Sequence, residues 1–210
     1  MAQVQVKEVV HEALGQAREL SGTFVLVFGT ALAGLLGLVW LAGSVEVPIA
    51  QFTRDPAAVM NGPFYAGALS NVGVLLWCAA AAVCFFGASL LSARIQSGLA
   101  APVVDGPRFL LASALFTCLL LVDDLFMLHD LVLPEYLQLR ERYVILTYGL
   151  LMLAYLLRFR RQILQTDWLV LVVAGGFFSC SIVVDKLPET LLPMHHVFED
   201  GAKFLGILGW

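Results

Sequence analysis

Two long stretches without a charged residue constrain this chain more than any other feature of its sequence. No Asp, Glu, Lys or Arg occurs in 20–45 or in 56–93. A run of about 20 apolar residues is long enough to cross the hydrocarbon core of a bilayer as a helix. Over the whole chain only 13% of residues are charged, whereas a soluble domain averages about 25%. The sequence therefore predicts an all-α, polytopic integral membrane protein.

Six apolar segments are expected to cross the bilayer and to pack together as one helical bundle. They cover roughly 22–43, 66–92, 109–133, 143–157, 168–187 and 193–210. Residues 21–210 are thus expected to form a single six-helix transmembrane domain in contact with the lipid bilayer. The Gly- and Ala-rich first two helices leave room for packing in an oligomer or a larger complex.

The first 20 residues have the pattern of an amphipathic helix that lies on the membrane surface. Apolar residues recur at helical spacing from Val6 to Leu20, and charged residues such as Lys7, Glu12 and Arg18 lie between them. The apolar run that follows is too long for the central region of a cleaved signal peptide. We therefore expect residues 1–20 to form an interfacial helix.

The distribution of Lys and Arg predicts the orientation of the bundle. Seven of these residues lie on the side of the N-terminus and four in the opposite loops, which favours a cytoplasmic location for both termini. The seven are Lys7, Arg18, Arg94, Arg108, Arg158, Arg160 and Arg161, and the four are Arg54, Arg140, Arg142 and Lys186. The net charge of −4 and the shortness of every basic cluster argue against a nucleic-acid partner.

Ionisable residues within and beside the predicted spans are concentrated in the second half of the chain. Six acids and two lysines of this set carry a net charge of −4, which equals that of the whole protein. Three of the four histidines lie beside them. The set comprises Asp123, Asp124, Asp130, Asp185, Glu199, Asp200, Lys186, Lys203, His129, His195 and His196.

Helical periodicity gathers five of these residues on one side of the last span. At about 100° per residue they fall within an arc of about 140°. They are His195, His196, Glu199, Asp200 and Lys203. On the third span Asp123 and Asp130 share a face, whereas His129 points elsewhere if the helix is continuous. With the predicted orientation, the set lines a funnel that opens to the external side.

Charges at this depth need compensation. A central Asp or Lys costs about 2.5–3.5 kcal/mol on insertion scales, so five unpaired ones would cost on the order of 10 kcal/mol. Lys203 can pair with Asp123 or Asp124, but it cannot neutralise all the deep carboxylates. The remaining acids are therefore expected to be paired, protonated, hydrated or bound to a cation.

A divalent metal ion is the cofactor that this set predicts. Carboxylates and imidazoles together are the ligands of zinc, iron or manganese. On the last span His195 and Glu199 are four residues apart, as are His196 and Asp200, so that each pair can reach one ion. The candidate ligands are Asp123, Asp124, His129, His195, His196 and Glu199.

The placement of these residues resembles that in the alkaline ceramidase-related membrane hydrolases. Asp123 and Asp124 lie on a mid-chain helix, and His195 or His196 lies on the last one. That family carries His-x-x-x-His on its last helix, where this chain has a histidine and an acid at the same spacing. The resemblance implies a metal-dependent hydrolase embedded in the membrane.

The expected reaction is hydrolysis of an amphiphilic, lipid-like substrate reached from the external leaflet. A metal ion with an open coordination position activates water for such a reaction. Asp200 or Asp185 would act as the base or support the ligands, and Lys203 would balance the deep negative charge.

Three alternative interpretations remain open at the level of sequence. A graded row of carboxylates and histidines is also typical of proteins that move protons or cations. Polar side chains can instead form a hydrogen-bonded network that holds the helices of a structural subunit together. Finally, Lys203 could carry retinal as a Schiff base with a nearby carboxylate as counter-ion.

Overall fold

A computed structural model of the protein describes residues 15, 18, 20–54, 56–63, 65–99 and 105–210. All regular secondary structure in these residues is helical, as the sequence predicts. The chain divides into two compact units, Met1–Ala66 and Gly67–Trp210. The predicted interfacial helix over 1–20 lies outside the described residues, apart from positions 15, 18 and 20.

The first unit contains one longer helical stretch followed by short turns of helix. Helix α1 (Ser21–Phe24) continues through a single π-helical segment (Val25–Gly29) into α2 (Thr30–Ser44). Two one-turn helices, α3 (Ala50–Thr53) and α4 (Pro56–Val59), follow α2. The first predicted span is therefore helical. Its apolar α-helix, α2, has 15 residues and is shorter than the three helices of spanning length.

The second unit contains the longer helices. These are α5 (Ala68–Gln96), α6 (Gly106–Phe126), α7 (Leu133–Leu137), α8 (Glu141–Arg158), α9 (Arg160–Ile163), α10 (Trp168–Asp185) and α11 (His195–Gly209). A π-helical turn (Leu128–Val132) lies between α6 and α7, and a 3₁₀ turn (Glu189–Leu191) lies between α10 and α11.

Three helices in the described part of the chain are long and apolar enough to cross a membrane, namely α5, α6 and α10. They correspond to the second, third and fifth predicted spans. Helix α8 has 18 residues but carries charges at both ends, and α11 has only 15 residues. The described part of the chain is thus all-helical, and its three apolar helices of spanning length are consistent with a membrane protein.

The third predicted span is shorter than the sequence suggests, because α6 does not continue to residue 133. It ends at Phe126, and Met127 adopts a left-handed conformation with φ 50° and ψ 47°. This conformation is unfavourable for a residue with a side chain, and it interrupts the helical hydrogen-bond pattern. The following π-helical turn therefore has a different direction and register from α6.

Close approach of α11 to α10 depends on small residues at their interface. A Cβ atom at Gly206 would lie 2.9 Å from the ring of Phe178, and one at Gly209 would lie 3.0 Å from the Cβ of Ala174. Small residues let transmembrane helices approach closely, which strengthens their van der Waals packing. The last helix is therefore held against α10 along its C-terminal half.

Aromatic rings fill the space between the helices near the end of α11. The Trp77 and Phe178 rings stack at 5.9 Å, and Trp210 packs against both Trp77 and Phe116. Trp210 Nε1 also donates a hydrogen bond of 2.8 Å to Oγ1 of Thr117, which is fully buried. These contacts join α5, α6, α10 and the end of α11 into one packed core.

Candidate functional site

The predicted site residues and their partners form three groups in the structure. The metal-ligand triad consists of His195, His196 and Glu199. The Asp123 network consists of Asp123, His129, Asp130 and Tyr148. The third group contains two lysine pairings, Lys203 with Asp124 and Lys186 with Glu141 and Asp185.

His195, the first residue of α11, is the most enclosed member of the triad, with only 7% of its surface exposed. Its Nε2 lies 2.8 Å from the carbonyl oxygen of Val184 near the end of α10. A carbonyl can only accept, so Nε2 carries the hydrogen and Nδ1 of the neutral ring has a bare lone pair. That Nδ1 is the one buried side-chain polar atom in the described residues without a hydrogen-bond partner.

Glu199 faces both histidines from one turn further along α11. Its Oε2 lies 3.7 Å from Nδ1 of His195 and 3.7 Å from Nδ1 of His196. These distances are too long for hydrogen bonds. Two ligands at about 2.1 Å from one tetrahedral zinc ion are themselves about 3.4 Å apart. Each of the two distances from the carboxylate to an imidazole is therefore close to the separation of two ligands on one ion.

The triad has the composition of a metal site with an open position. One ligand atom from each residue lies within 4.8 Å of the other two. Two histidines and one glutamate hold zinc in catalytic sites where water takes the fourth position. A ligating histidine usually donates its other ring N–H to a carbonyl or carboxylate. The bond from His195 to Val184 has this form.

The Asp123 network centres on a buried carboxylate that accepts three hydrogen bonds. His129 donates to it from its backbone N–H at 3.0 Å, and His129 Nδ1 lies 2.5 Å from Oδ2. The Tyr148 hydroxyl on α8 donates to Oδ1 at 2.8 Å. Three donors satisfy an ionised carboxylate that apolar helices surround, so this charge does not depend on a metal ion.

His129 lies in this network because α6 ends before it. In a continuous helix His129 would point away from Asp123, as the sequence predicts. This prediction is wrong, because the two side chains are in contact. The left-handed Met127 turns the chain back, so that the residue six positions after Asp123 contacts its carboxylate. Sequence periodicity could not detect this, since a helix break without Gly or Pro has no clear local signal.

His129 also bridges to a second carboxylate. Its Nε2 lies 3.0 Å from Oδ1 of Asp130, and side-chain exposure falls from 59% at Asp130 to 23% at His129 and 8% at Asp123. The hydrogen bond to Asp123, followed by that to Asp130, raises the pKa of His129 to about 10 although burial opposes the shift. The imidazolium therefore stays charged at neutral pH.

The charge of Asp130 links the network to the two lysines. The hydrogen bond from His129 lowers the pKa of Asp130, and the positive charges of Lys203 and Lys186 add to this effect. The network therefore lies within the electrostatic range of both lysine pairings, at the end of the unit that carries the triad.

Lys203 pairs with Asp124 rather than with Asp123. Its Nζ lies 2.5 Å from Asp124 Oδ1, and only 7% of the Asp124 side chain is exposed. Gly73 on α5 faces this carboxylate, since a Cβ there would lie 4.0 Å from Asp124 Oδ2, an ordinary contact distance. One deep aspartate is thus neutralised by a lysine and its neighbour by the His129 imidazolium.

Lys186 holds the ends of α8 and α10 together. Its Nζ lies 2.7 Å from Asp185 and 2.6 Å from Glu141. Hydrogen bonds to these two carboxylates raise the pKa of Lys186. Asp185, a predicted base, is therefore engaged in an ion pair. Glu141, which shares Lys186 with it, was not among the predicted site residues.

The predicted ligand set is thus divided by the structure. The triad contains three of the six candidates, and neither Asp123 nor Asp124 belongs to a metal-like group in the described residues. Asp200 is exposed on α11, one residue beyond Glu199. Tyr148 was missed, although a hydroxyl within an apolar helix was a usable signal.

A family model described as a domain of unknown function, DUF8692, matches residues 9–210, so the chain belongs to that family. Searches of the curated proteins and of the solved structures each found no match. The family description names no activity, and the resemblance to the alkaline ceramidase-related hydrolases stays a prediction.

Proposed function

We propose that this DUF8692 protein is a metal-dependent hydrolase embedded in the membrane, with the metal-ligand triad as its centre. The observation that carries the proposal is the buried Nδ1 of His195, which has no hydrogen-bond partner and lies 3.7 Å from a carboxylate oxygen. A buried nitrogen left without a partner is costly. A metal ion bound there would remove that cost.

The chemistry follows from a metal ion with three protein ligands. Zinc in such a site lowers the pKa of its bound water to about 7. Held by His195, His196 and Glu199, such an ion would supply activated water for hydrolysis of an ester or amide bond. Asp200 is the stronger candidate for the base that takes the water proton and returns it to the leaving group, because Asp185 is paired with Lys186.

Amphiphilic substrates fit the surroundings of the triad. Large apolar side chains are exposed immediately before and after its two histidines, at Leu191, Met194, Val197 and Phe198. Such a surface is compatible with lipid chains, whereas Glu199 and His196 are polar and open to solvent. A molecule with an apolar chain and a hydrolysable polar group could contact both.

The proposal includes the full topology of six spans with both termini in the cytoplasm. At 1.5 Å per residue, α8 covers about 27 Å and can serve as an additional span within a bundle. Helix α11 covers about 22 Å and would span only where the bilayer is locally thinned. The triad, at the start of α11, then lies near the external surface. Fewer Lys and Arg residues lie in the loops of this end than in those of the opposite end, which is consistent with a non-cytoplasmic location.

Metal analysis of detergent-purified protein tests the proposal. We expect about one equivalent of zinc, iron or manganese in the wild type and its loss in Glu199→Gln and His196→Ala. Asp200→Asn is the matched control, because it removes an exposed acid one residue away. This variant should keep its metal but lose hydrolysis of ester or amide amphiphiles.

Two results would contradict this assignment. One is wild-type protein without bound metal after purification in metal-supplemented buffer. The other is equal metal content in Glu199→Gln and the wild type. His129→Gln is a further control, because His129 belongs to the Asp123 network and not to the triad. This variant should bind as much metal as the wild type.

Proton handling is a second candidate, and the Asp123 network favours it. Asp130, His129 and Asp123 form a continuous hydrogen-bonded row from an exposed to a buried carboxylate. Such rows occur in proton-translocating membrane proteins. Proton flux into liposomes that is lost in His129→Gln and kept in Glu199→Gln would favour this function over hydrolysis.

A further inference from the structure

The end of the second unit opposite to the triad is strongly basic. Helix α5 ends, α6 begins, α8 ends and α10 begins at this end. Five arginines but only two aspartates lie here. The arginines are Arg94, Arg108, Arg158, Arg160 and Arg161, and the aspartates are Asp105 and Asp167. The proposed hydrolase chemistry makes no use of this charge.

Asp105 brings two of the arginines together from distant parts of the sequence. Arg158 Nη2, at the end of α8, donates to one carboxylate oxygen at 2.8 Å, and Arg108 Nη1, on the first turn of α6, donates to the other at 3.2 Å. The hydrogen bond from Arg158 lowers the pKa of Asp105, so the carboxylate stays ionised. Two guanidinium groups are thereby held side by side with a net positive charge.

These two guanidinium groups can still bind another anion. The Arg108 and Arg158 side chains are 78% and 53% exposed. A guanidinium has five N–H donors, and each of the two places one of its nitrogens on Asp105. Several donors therefore face solvent or the lipid surface.

Arg160 and Arg161 extend the basic surface along α9. Both are exposed, while Phe159 and Ile163 on either side of them are buried in the bundle. The buried residues attach this short helix to the protein and leave its arginines on the outside. Phe159 contacts Phe109 at 5.6 Å, which places α9 beside the start of α6 and its Asp105–Arg108 pair.

The basic surface also lies at the level of the membrane interface. It is adjacent to the first residues of the spanning helices α6 and α10. Trp168, the first residue of α10, is exposed, and tryptophan is enriched where a span meets the lipid headgroups. A ligand here would therefore be reached from the headgroup layer.

We propose that Arg108 and Arg158, held together by Asp105, form with Arg160 and Arg161 a binding site for the phosphodiester group of an anionic phospholipid. Guanidinium groups bind phosphate oxygens through paired, charge-assisted hydrogen bonds. Basic segments beside a transmembrane helix attract the anionic lipids of the cytoplasmic leaflet. The position beside α6 and α10 favours a lipid phosphate over a soluble one. The site is independent of the metal-ligand triad.

Binding of phosphatidylglycerol to the full-length protein in a neutral detergent tests the proposal. Native mass spectrometry would compare phosphatidylglycerol with phosphatidylcholine of the same chain length and with soluble glycerol phosphate. We expect selective binding of phosphatidylglycerol that weakens at high salt. In the double variant R160Q/R161Q the affinity should fall about thirtyfold, because two of the four cations are removed.

R140Q/R142Q is the matched control. It also removes two arginines that are close together in the sequence, but they lie at the end that carries the triad. It should bind phosphatidylglycerol like the wild type. Equal binding of the two lipids would overturn the proposal, as would equal losses in the two double variants. Binding of glycerol phosphate as tight as that of phosphatidylglycerol would show a soluble phosphate ligand and overturn the lipid assignment.

Discussion

The Nδ1 atom of His129 lies 2.5 Å from Oδ2 of Asp123, across a chain reversal at Met127. The same histidine contacts Asp130 through Nε2. One imidazolium thus joins a buried and an exposed carboxylate, and it holds the π-helical turn against the end of α6. This relationship makes the stability of the second unit dependent on pH.

Stability should fall at alkaline pH because of His129. Its pKa is about 10 in the folded protein, whereas an unperturbed histidine titrates near about 6.5. A raised folded-state pKa contributes stability that is complete below about pH 6.5 and is lost as the pH rises through the folded value. Thermal unfolding in detergent between pH 6 and 10.5 should show a falling Tm.

The comparison with His129→Gln isolates this contribution. The variant should have a lower Tm at pH 6, and its Tm should depend less on pH across this window than that of the wild type. Parallel Tm curves for the two proteins would mean that His129 does not carry its charge in the folded state.

Removing either partner of the Asp124–Lys203 pair should destabilise the protein. Asp124→Asn or Lys203→Met should each cost about 3 kcal/mol, at the low end of values for buried pairs because 38% of the Lys203 side chain is exposed. The double variant should recover much of the loss, because no uncompensated charge remains. A double-mutant cycle in urea or by thermal unfolding measures the coupling, and additive losses would contradict it.

Gly206→Ala should weaken the contact between α10 and α11. The new Cβ would lie 2.9 Å from the Phe178 ring, and such overpacking costs about 1–3 kcal/mol. Gly201→Ala on the same helix is the control, since a Cβ there meets no atom within 4 Å. It should be neutral or stabilising, because alanine favours helix more than glycine by about 1 kcal/mol. Equal Tm changes in the two variants would refute this packing.

Replacing Trp210 by Phe should lower the stability, because its hydrogen bond to Thr117 is lost. The ring packing is largely kept, but the buried Thr117 hydroxyl loses its donor, at a cost of about 1–2 kcal/mol. Thr117→Val in the Trp210→Phe background should recover part of the lost stability, because the unsatisfied hydroxyl is then absent. The same substitution in the wild type should be destabilising. No recovery in the double variant would contradict the hydrogen bond.

Much of the candidate site could be inferred from composition and spacing along single helices. The spacing from His195 to Glu199 appears directly in the sequence, and the structure keeps this pair within reach of one ion. The other predicted pair, His196 with Asp200, is not found in the described residues, because His196 lies beside Glu199 instead. The need to pair one deep aspartate with Lys203 also follows from charge counting. Neither inference required knowledge of how separate helices pack.

Other features of the site depend on contacts between helices and could not be inferred in this way. Tyr148 reaches Asp123 from α8, and Val184 orients His195 from α10. Arg158 lies 53 positions from Asp105 in the sequence. Such contacts depend on the rotation of each helix about its axis, which a nearly uniform apolar pattern does not specify.

The sequence by itself determined that this protein is helical, lies in a membrane and concentrates its acidic residues in one half of the chain. These properties follow from sums over local segments, because the free energy of transfer into lipid is roughly additive along a helix. Only the tertiary structure decided which acid pairs with which base. That choice depended on the left-handed Met127, which turned His129 toward Asp123, and on the approach of α11 to α5 and α10.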